Sequence, residues 1–160
     1  PEHPWPTFDR AELADLIRDL CPGRRSVEQL RQLPLAGAIK GALQYPLDRL
    51  LDQEAPDTIE VPSGSRIRLR YEPNGPVLAV RLQELFGLAD TPRIAAGRVK
   101  IKLELLGPNY RPVQVTEDLA SFWNNTYPQV RKDLRARYPK HSWPEDPYSA
   151  RPEAKGGRRR

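Results

Sequence analysis

Methionine is absent from this 160-residue chain, cysteine occurs once and histidine twice. The lone thiol, Cys21, forms no internal disulfide, and one thiol with two imidazoles is too few for a zinc site. The same scarcity argues against nucleophilic catalysis. A Ser or Cys nucleophile needs a histidine base, and His3 and His141 both sit in proline-rich, surface-type segments. Cys21, at an expected helix end, reads as a small, partly buried core residue. No apolar run approaches the about 18 residues of a membrane span, and no charged-then-apolar leader precedes a small-residue cleavage site, so a soluble chain without a targeting segment is expected. No G-x-x-x-x-G-K-[ST] cradle occurs. Pro62-Ser63-Gly64-Ser65-Arg66 reads as a tight turn into a strand, although small residues beside an arginine can also offer donors to an anion. No catalytic residue and no metal ligand is assigned. A start at Pro1-Glu2-His3-Pro4 with no methionine suggests a piece cut from something longer.

Charge is abundant, and unevenly placed. The overall +5 comes from 26 Lys and Arg against 21 Asp and Glu. Residues 1–60 carry 7 basic and 11 acidic side chains, residues 61–150 carry 14 and 9, and the last ten carry 5 and 1. An acidic front and a basic back point to a partner more than to a fold.

The front reads as short helices. Asp9 is a suitable N-cap for Leu13, Leu16, Ile17 and Leu20 at helical spacing, and Cys21-Pro22-Gly23 stops the run. Ser26 with Gln29 has the capping-box form. Leu35, Ile39 and Leu43 mark a third helix, and Pro46 opens a fourth through Leu47, Leu50 and Leu51. Helices this short need a partner surface. The period changes near Thr58. Alternation predicts a strand over residues 66–71 and another over 99–105, with a helix over 76–86 between them and a short strand over 112–115. Thr116 is the expected N-cap of a final helix carrying Leu119, Phe122, Trp123, Tyr127, Val130 and Leu134, kinked near residues 124–127 by Pro128. From Trp143-Pro144 onward proline, glycine and charge dominate, which predicts a loose tail. The expected fold is α+β: a helical segment over 1–56, an α+β core over 57–148 with a small, mainly antiparallel sheet packed by two or three helices, and a disordered basic tail over 149–160.

The cations are the candidate contact residues. Arg66, Arg68 and Arg70 share one expected strand face and Lys100 and Lys102 another. Arg131 and Arg135 stand four apart on the last helix, with Lys132, Arg137 and Lys140 nearby, and Arg158, Arg159 and Arg160 close the tail. If the two cationic strands pair in one sheet, five like charges crowd together, which favours an anion such as nucleic-acid phosphate over them. The alternative is a solvated face balanced by Glu72, Glu104 and the acidic helices. Phe122, Trp123 and Tyr127 fall on the apolar stripe and read as core; Tyr110, Tyr138 and Trp143, at element ends, are the better base-stacking candidates.

Several long segments carry a resemblance: residues 61–66 (VPSGSR), 76–87 (PVLAVRLQELFG), 111–116 (RPVQVT), 118–123 (DLASFW), and the run from Val130-Arg131-Lys132 through Tyr138-Pro139-Lys140-His141 to Trp143-Pro144-Glu145-Asp146-Pro147. In this order they resemble the C-terminal domain of the HrpB family of bacterial ATP-dependent helicases, of the DEAH-box type. The resemblance implies a cytoplasmic parent with two RecA-like motor domains that use ATP and Mg2+. None of the motor motifs is present, so this stretch alone is not expected to hydrolyse ATP and needs no cofactor of its own. The expected partners are RNA or DNA backbone, held by the cations, and the helicase core domains of the same parent chain; the alternative is a protein-interaction module in which the acidic helices or the Tyr138–Pro147 segment dock another protein or that core. Where the family usually has an acidic residue before the first-strand tyrosine, this chain has Arg70. At Gln44-Tyr45-Pro46 it departs from the usual Leu-Pro-Trp.

Overall fold

In a computed structural model, which describes residues 5–154, the chain divides into two compact units, Pro1–Gln53 and Glu54–Arg160. The first is helical. Asp9 caps α1 (Arg10–Leu20) by accepting from the Ala11 and Glu12 amides at 2.9 Å, and Glu12 accepts the Asp9 amide in return. These contacts satisfy N–H groups that a helix start leaves open. Ser26 caps α2 (Val27–Arg31) through Gln29; the Gln29 side chain bonds the Arg25 amide instead of that of Ser26, so the box is half formed. α3 spans Leu35–Ala42 and packs on α1; α4 spans Leu47–Glu54. None of the four helices has a buried residue. The apolar stripes of the sequence are present but face no core within this unit.

The second unit holds the core. Strands β1 (Thr58–Glu60) and β2 (Arg66–Arg68) form a hairpin closed at Gly64, whose φ of +80° suits glycine. At Leu69, 4% exposed, the chain leaves that hairpin and continues as β3 (Arg70–Glu72). β3 joins a mixed sheet of order β3-β4-β7-β8, with β4 (Gly75–Arg81), β7 (Lys102–Leu106) and β8 (Pro112–Thr116). The β4–β7 pair is parallel and the other two pairs are antiparallel. β5 (Arg93–Ile94) and β6 (Val99–Lys100) form a separate small hairpin. Leu78, Val80, Leu103 and Leu105 line the inner sheet face, against Leu119, Phe122, Trp123, Tyr127 and Leu134. The α+β class is as expected.

Three expectations are corrected. Residues 76–86 are not a helix: they are β4 followed by a 3₁₀ turn at Leu82–Glu84. The helical spacing of Leu78, Leu82, Leu85 and Phe86 misled, because Val77, Leu78 and Val80 are buried together, as in a strand covered on both faces. The Asn74-Gly75 turn signal, with Gly75 at φ +116°, marks the β3–β4 hairpin. Neither cationic run is one strand. Leu69 splits the first, and Ile101, fully buried with its amide on the Pro92 carbonyl, splits the second. The last helix is capped by Asp118 rather than Thr116: Asp118 accepts from Ser121, and Thr116 forms a turn with Asp118 before α5 (Leu119–Ser121). Phe122–Thr126 is then π-helical, leading into α6 (Tyr127–Arg137) with Pro128 in its first turn. This is the expected kink, since proline lacks the N–H that would continue the ladder.

A charged pair lies inside this unit. Arg81 Nε donates to Glu84 Oε1 at 3.0 Å, and the two side chains are 10% and 7% exposed. Glu84 also accepts from the Ser63 hydroxyl, Arg81 reaches the Glu153 carbonyl, and the Tyr110 ring stacks on the guanidinium at 5.6 Å. Removing one member of a buried pair strands the other, at roughly 3–5 kcal/mol. Glu84→Ala is expected to lower the free energy of urea unfolding by that amount, read as a lower midpoint at unchanged slope, whereas Arg81→Met with Glu84→Leu recovers most of it; equal losses for both variants would contradict this role.

Candidate nucleic-acid interface

The expected cations fall on three separate sheets and one helix. Arg70 and Lys102 do share a face of the central sheet, because Arg70 is in register with Val77 and Val77 with Lys102. Both are neutralised there. Arg70 bridges Glu72 at 3.3 Å and Glu104 at 3.1 Å, and Lys102 lies 3.7 Å from Glu117. Arg66 and Arg68 stand opposite Glu60 and Thr58 on the β1–β2 hairpin, exposed and without an ion pair among the described residues. Lys100 sits across from Arg93, a cation the sequence reading passed over, on the β5–β6 ladder. No five-charge sheet patch forms.

On α6 the residues divide again. Arg131, its side chain 20% exposed, donates to the Trp143 carbonyl at 2.8 Å and pairs with Glu145 at 3.0 Å. Lys132, Arg135 and Arg137 are exposed and make no ion pair among the described residues. Lys140 is exposed beyond the helix end. Arg158, Arg159 and Arg160 lie outside the described residues.

Arg131 is one of several anchors on the segment that was expected to be loose. Trp143 is 7% exposed and its indole N–H meets the Tyr138 carbonyl. Tyr127 donates its hydroxyl to the Pro144 carbonyl, Gly87 its amide to Pro147, and the Glu153 amide reaches the Gln83 carbonyl. Backbone polar bonds hold this stretch where composition offered little to bury. Trp143 is therefore core and not an open stacking platform, whereas Tyr110 is half exposed with the Arg81 guanidinium over its ring. Phe122, Trp123 and Tyr127 form the expected aromatic core, with Trp123 and Tyr127 edge to face at 5.1 Å. Among the described residues no group of three or more His, Cys, Asp and Glu side chains is placed to hold a metal, and no helix is long and apolar enough to cross a membrane.

The profile of the family described as ATP-dependent helicase C-terminal, HrpB_C, matches residues 16–147. The chain belongs to this family. It is 46% identical over 157 residues to the ATP-dependent RNA helicase HrpB of Escherichia coli K12, covering 95% of this chain and 19% of that protein. A crystal structure of the E. coli DExH-box NTPase HrpB superposes with a TM-score of 0.83 at 42% identity, over 97% of this chain and 20% of the other. A second, of the E. coli DEAH/RHA helicase HrpB, gives 0.66 at 42% identity, over 89% and 19%. This HrpB-family chain thus spans about a fifth of the length of the relatives it matches.

Burial pushes the Tyr127 hydroxyl up to about 12, only partly offset by the nearby Arg131 charge. Its folded value exceeds the unfolded one, so the neutral phenol stabilises the fold below pH 10 and that contribution is lost as pH rises towards 12. An absorbance titration at the tyrosinate band is expected to show one of the six tyrosines ionising last, near pH 12 and together with unfolding. In Tyr127→Phe that last step vanishes; its persistence would contradict the assignment.

Proposed function

We propose that this chain is the C-terminal accessory domain of an ATP-dependent RNA helicase and grips nucleic-acid phosphate without reading bases. The grip consists of a set of exposed cations that make no ion pair among the described residues: Arg66 and Arg68 on β2, Lys100 on β6, and Lys132, Arg135 and Arg137 on α6. Arg70, Lys102 and Arg131, by contrast, serve internal ion pairs. What carries the reading is this split, since an exposed cation without a partner is free to exchange its counterions for phosphate. ATP and Mg2+ belong to motor domains of a longer parent, and the contact here would hold the strand for them. Lys140 and the arginines at the C-terminus extend the same charge.

Fluorescence anisotropy with single- and double-stranded RNA over a series of salt concentrations tests it. Binding is expected to weaken steeply with salt. Replacing Arg66, Arg68, Lys132 and Arg135 by Gln is expected to lower the single-strand slope by roughly 0.7 per lost contact, whereas Arg70→Gln with Lys102→Gln leaves it nearly unchanged. No binding at low salt would refute the reading.

A second reading concerns the helical unit, where Ile17, Val27 and Leu30 are exposed. Ile17, Cys21, Leu30, Leu33 and Leu35 border an apolar groove of about 220 Å³. Such a stripe, on a unit whose residues 1–53 carry 8 acidic and 7 basic side chains, suits docking to protein, the motor domains of the parent included. Ile17→Asp with Leu30→Asp is expected to abolish association with separately supplied motor domains while leaving RNA affinity unchanged; retained association would exclude this face.

A further inference from the structure

The β5–β6 hairpin has features that its small size does not explain. Arg93 and Lys100 are directly paired across its ladder, so both side chains leave the same face. Like charges at a cross-strand pair repel unless an anion lies between them. No carboxylate supplies one: Arg93 donates to the Gly97 carbonyl at 3.1 Å, and neither cation makes an ion pair among the described residues. The connecting turn holds Ala95 and Ala96 at φ +54° and +51°, where side chains other than those of glycine and asparagine are unfavourable. It is nonetheless fixed. The Ala95 amide bonds the Glu54 carbonyl at 3.0 Å and Arg98 pairs with the Glu54 carboxylate at 2.7 Å. Local strain held by surrounding contacts is common where a backbone is kept in place for binding.

Beside the two cations lies an open, polar groove of about 650 Å³, lined by Asp90, Thr91, Arg93, Lys100, Asp118 and Ala120. Its size is that of a small-molecule site. Thr91 is used internally, giving its hydroxyl proton to the Glu117 carbonyl and accepting the Leu119 amide, which fixes the groove floor. One Asp118 oxygen accepts from the Ser121 amide, and Asp90 is exposed. The groove therefore presents two cations on one strand pair and carboxylate acceptors in the same lining. A purely anionic ligand would meet the carboxylates, and a purely cationic one the Arg93 and Lys100 heads. A nucleotide unit carries both complements: a phosphate, and hydroxyl or amino donors a few ångströms away.

We propose that this groove seats one nucleotide of single-stranded RNA, its phosphate between Arg93 and Lys100 and its 2′-hydroxyl donating to Asp90 or to the free oxygen of Asp118. The inference rests on the phosphate-binding reading above and extends it from sequence-blind grip to discrimination of RNA from DNA. The 2′-hydroxyl is the donor that DNA lacks.

The test compares fluorescein-labelled oligouridine with oligodeoxyuridine, bound to the whole chain in anisotropy titrations at several salt concentrations. Arg93→Gln with Lys100→Gln is expected to weaken oligouridine binding about tenfold and to lower the salt slope by about 0.7, the value for one neutralised single-strand phosphate. Arg24→Gln with Arg25→Gln removes the same charge from the helical unit and serves as control, with a change below about twofold. Asp90→Ala is expected to bring the RNA-to-DNA affinity ratio towards one without weakening DNA binding; Asp118→Ala, which also removes a helix cap, is read only after circular dichroism confirms the fold. If the Arg93/Lys100 variant binds like the parent while the β2 and α6 variants lose affinity, the groove proposal is overturned and the phosphate grip stands on β2 and α6 without Lys100. Equal loss in the Arg24/Arg25 control would also overturn it, by reducing the effect to net charge. If the unaltered chain binds neither oligonucleotide, both readings fall.

Discussion

The second unit is organised around the buried Arg81–Glu84 pair. Four stretches distant in sequence converge on it: the 62–65 turn through Ser63, the end of β4 with the 3₁₀ turn after it, which carry Arg81 and Glu84, the β7–β8 turn through the Tyr110 ring, and the C-terminal segment through the Glu153 carbonyl. An ion pair taken out of water gains little net stability over an apolar substitute, but it tolerates only arrangements that satisfy its remaining donors and acceptors. That restriction ties the hairpin, the central sheet and the C-terminal segment to one another, and so fixes where the surface cations stand.

Charge in this chain consequently has two uses. One set of cations is paired within the chain, Arg81 in its interior and the others nearer the surface: Arg81 with Glu84, Arg131 with the Trp143 carbonyl and Glu145, Arg98 with Glu54, and Arg70 with Glu72 and Glu104. These hold elements at set positions, with the exposed members contributing modestly because solvent screens them. The other set, on β2, β6 and α6, makes no ion pair among the described residues. A sequence count of basic residues merges the two, which is why net charge overstates the surface available to a polyanion. Arg70 illustrates the point: its charge is met by two neighbouring glutamates, Glu72 and Glu104.

The α+β class, the capped helix α1, the β8 strand, the aromatic core and the break before Pro128 were all legible, because each rests on local periodicity or on a side chain bonding its own near neighbours. The family was legible too, through long ordered segments. What local pattern did not reveal was where a strand ends inside an alternating run. Leu69 and Ile101 continue the alternation perfectly in sequence, and only their burial beneath the sheet shows that the chain turns there. The same limit hid the 76–81 strand, whose apolar residues fit a helix stripe as well as a two-sided strand. The C-terminal segment escaped notice for a different reason: it is held by carbonyl and amide bonds, which leave almost no trace in side-chain composition. Arg93 was passed over since its partner, Lys100, becomes visible only once the hairpin register is known.

The division of cations into occupied and available sets is most directly tested by following arginine Nε–Hε resonances in a 15N-labelled sample during titration with a short single-stranded RNA. The account predicts that Arg66, Arg68, Arg93 and Arg135 shift or broaden, while Arg70, Arg81 and Arg131 keep their positions. Perturbation of Arg70 and Arg131 to the same extent as Arg66 and Arg135, or shifts confined to the arginines of residues 1–53, would contradict it.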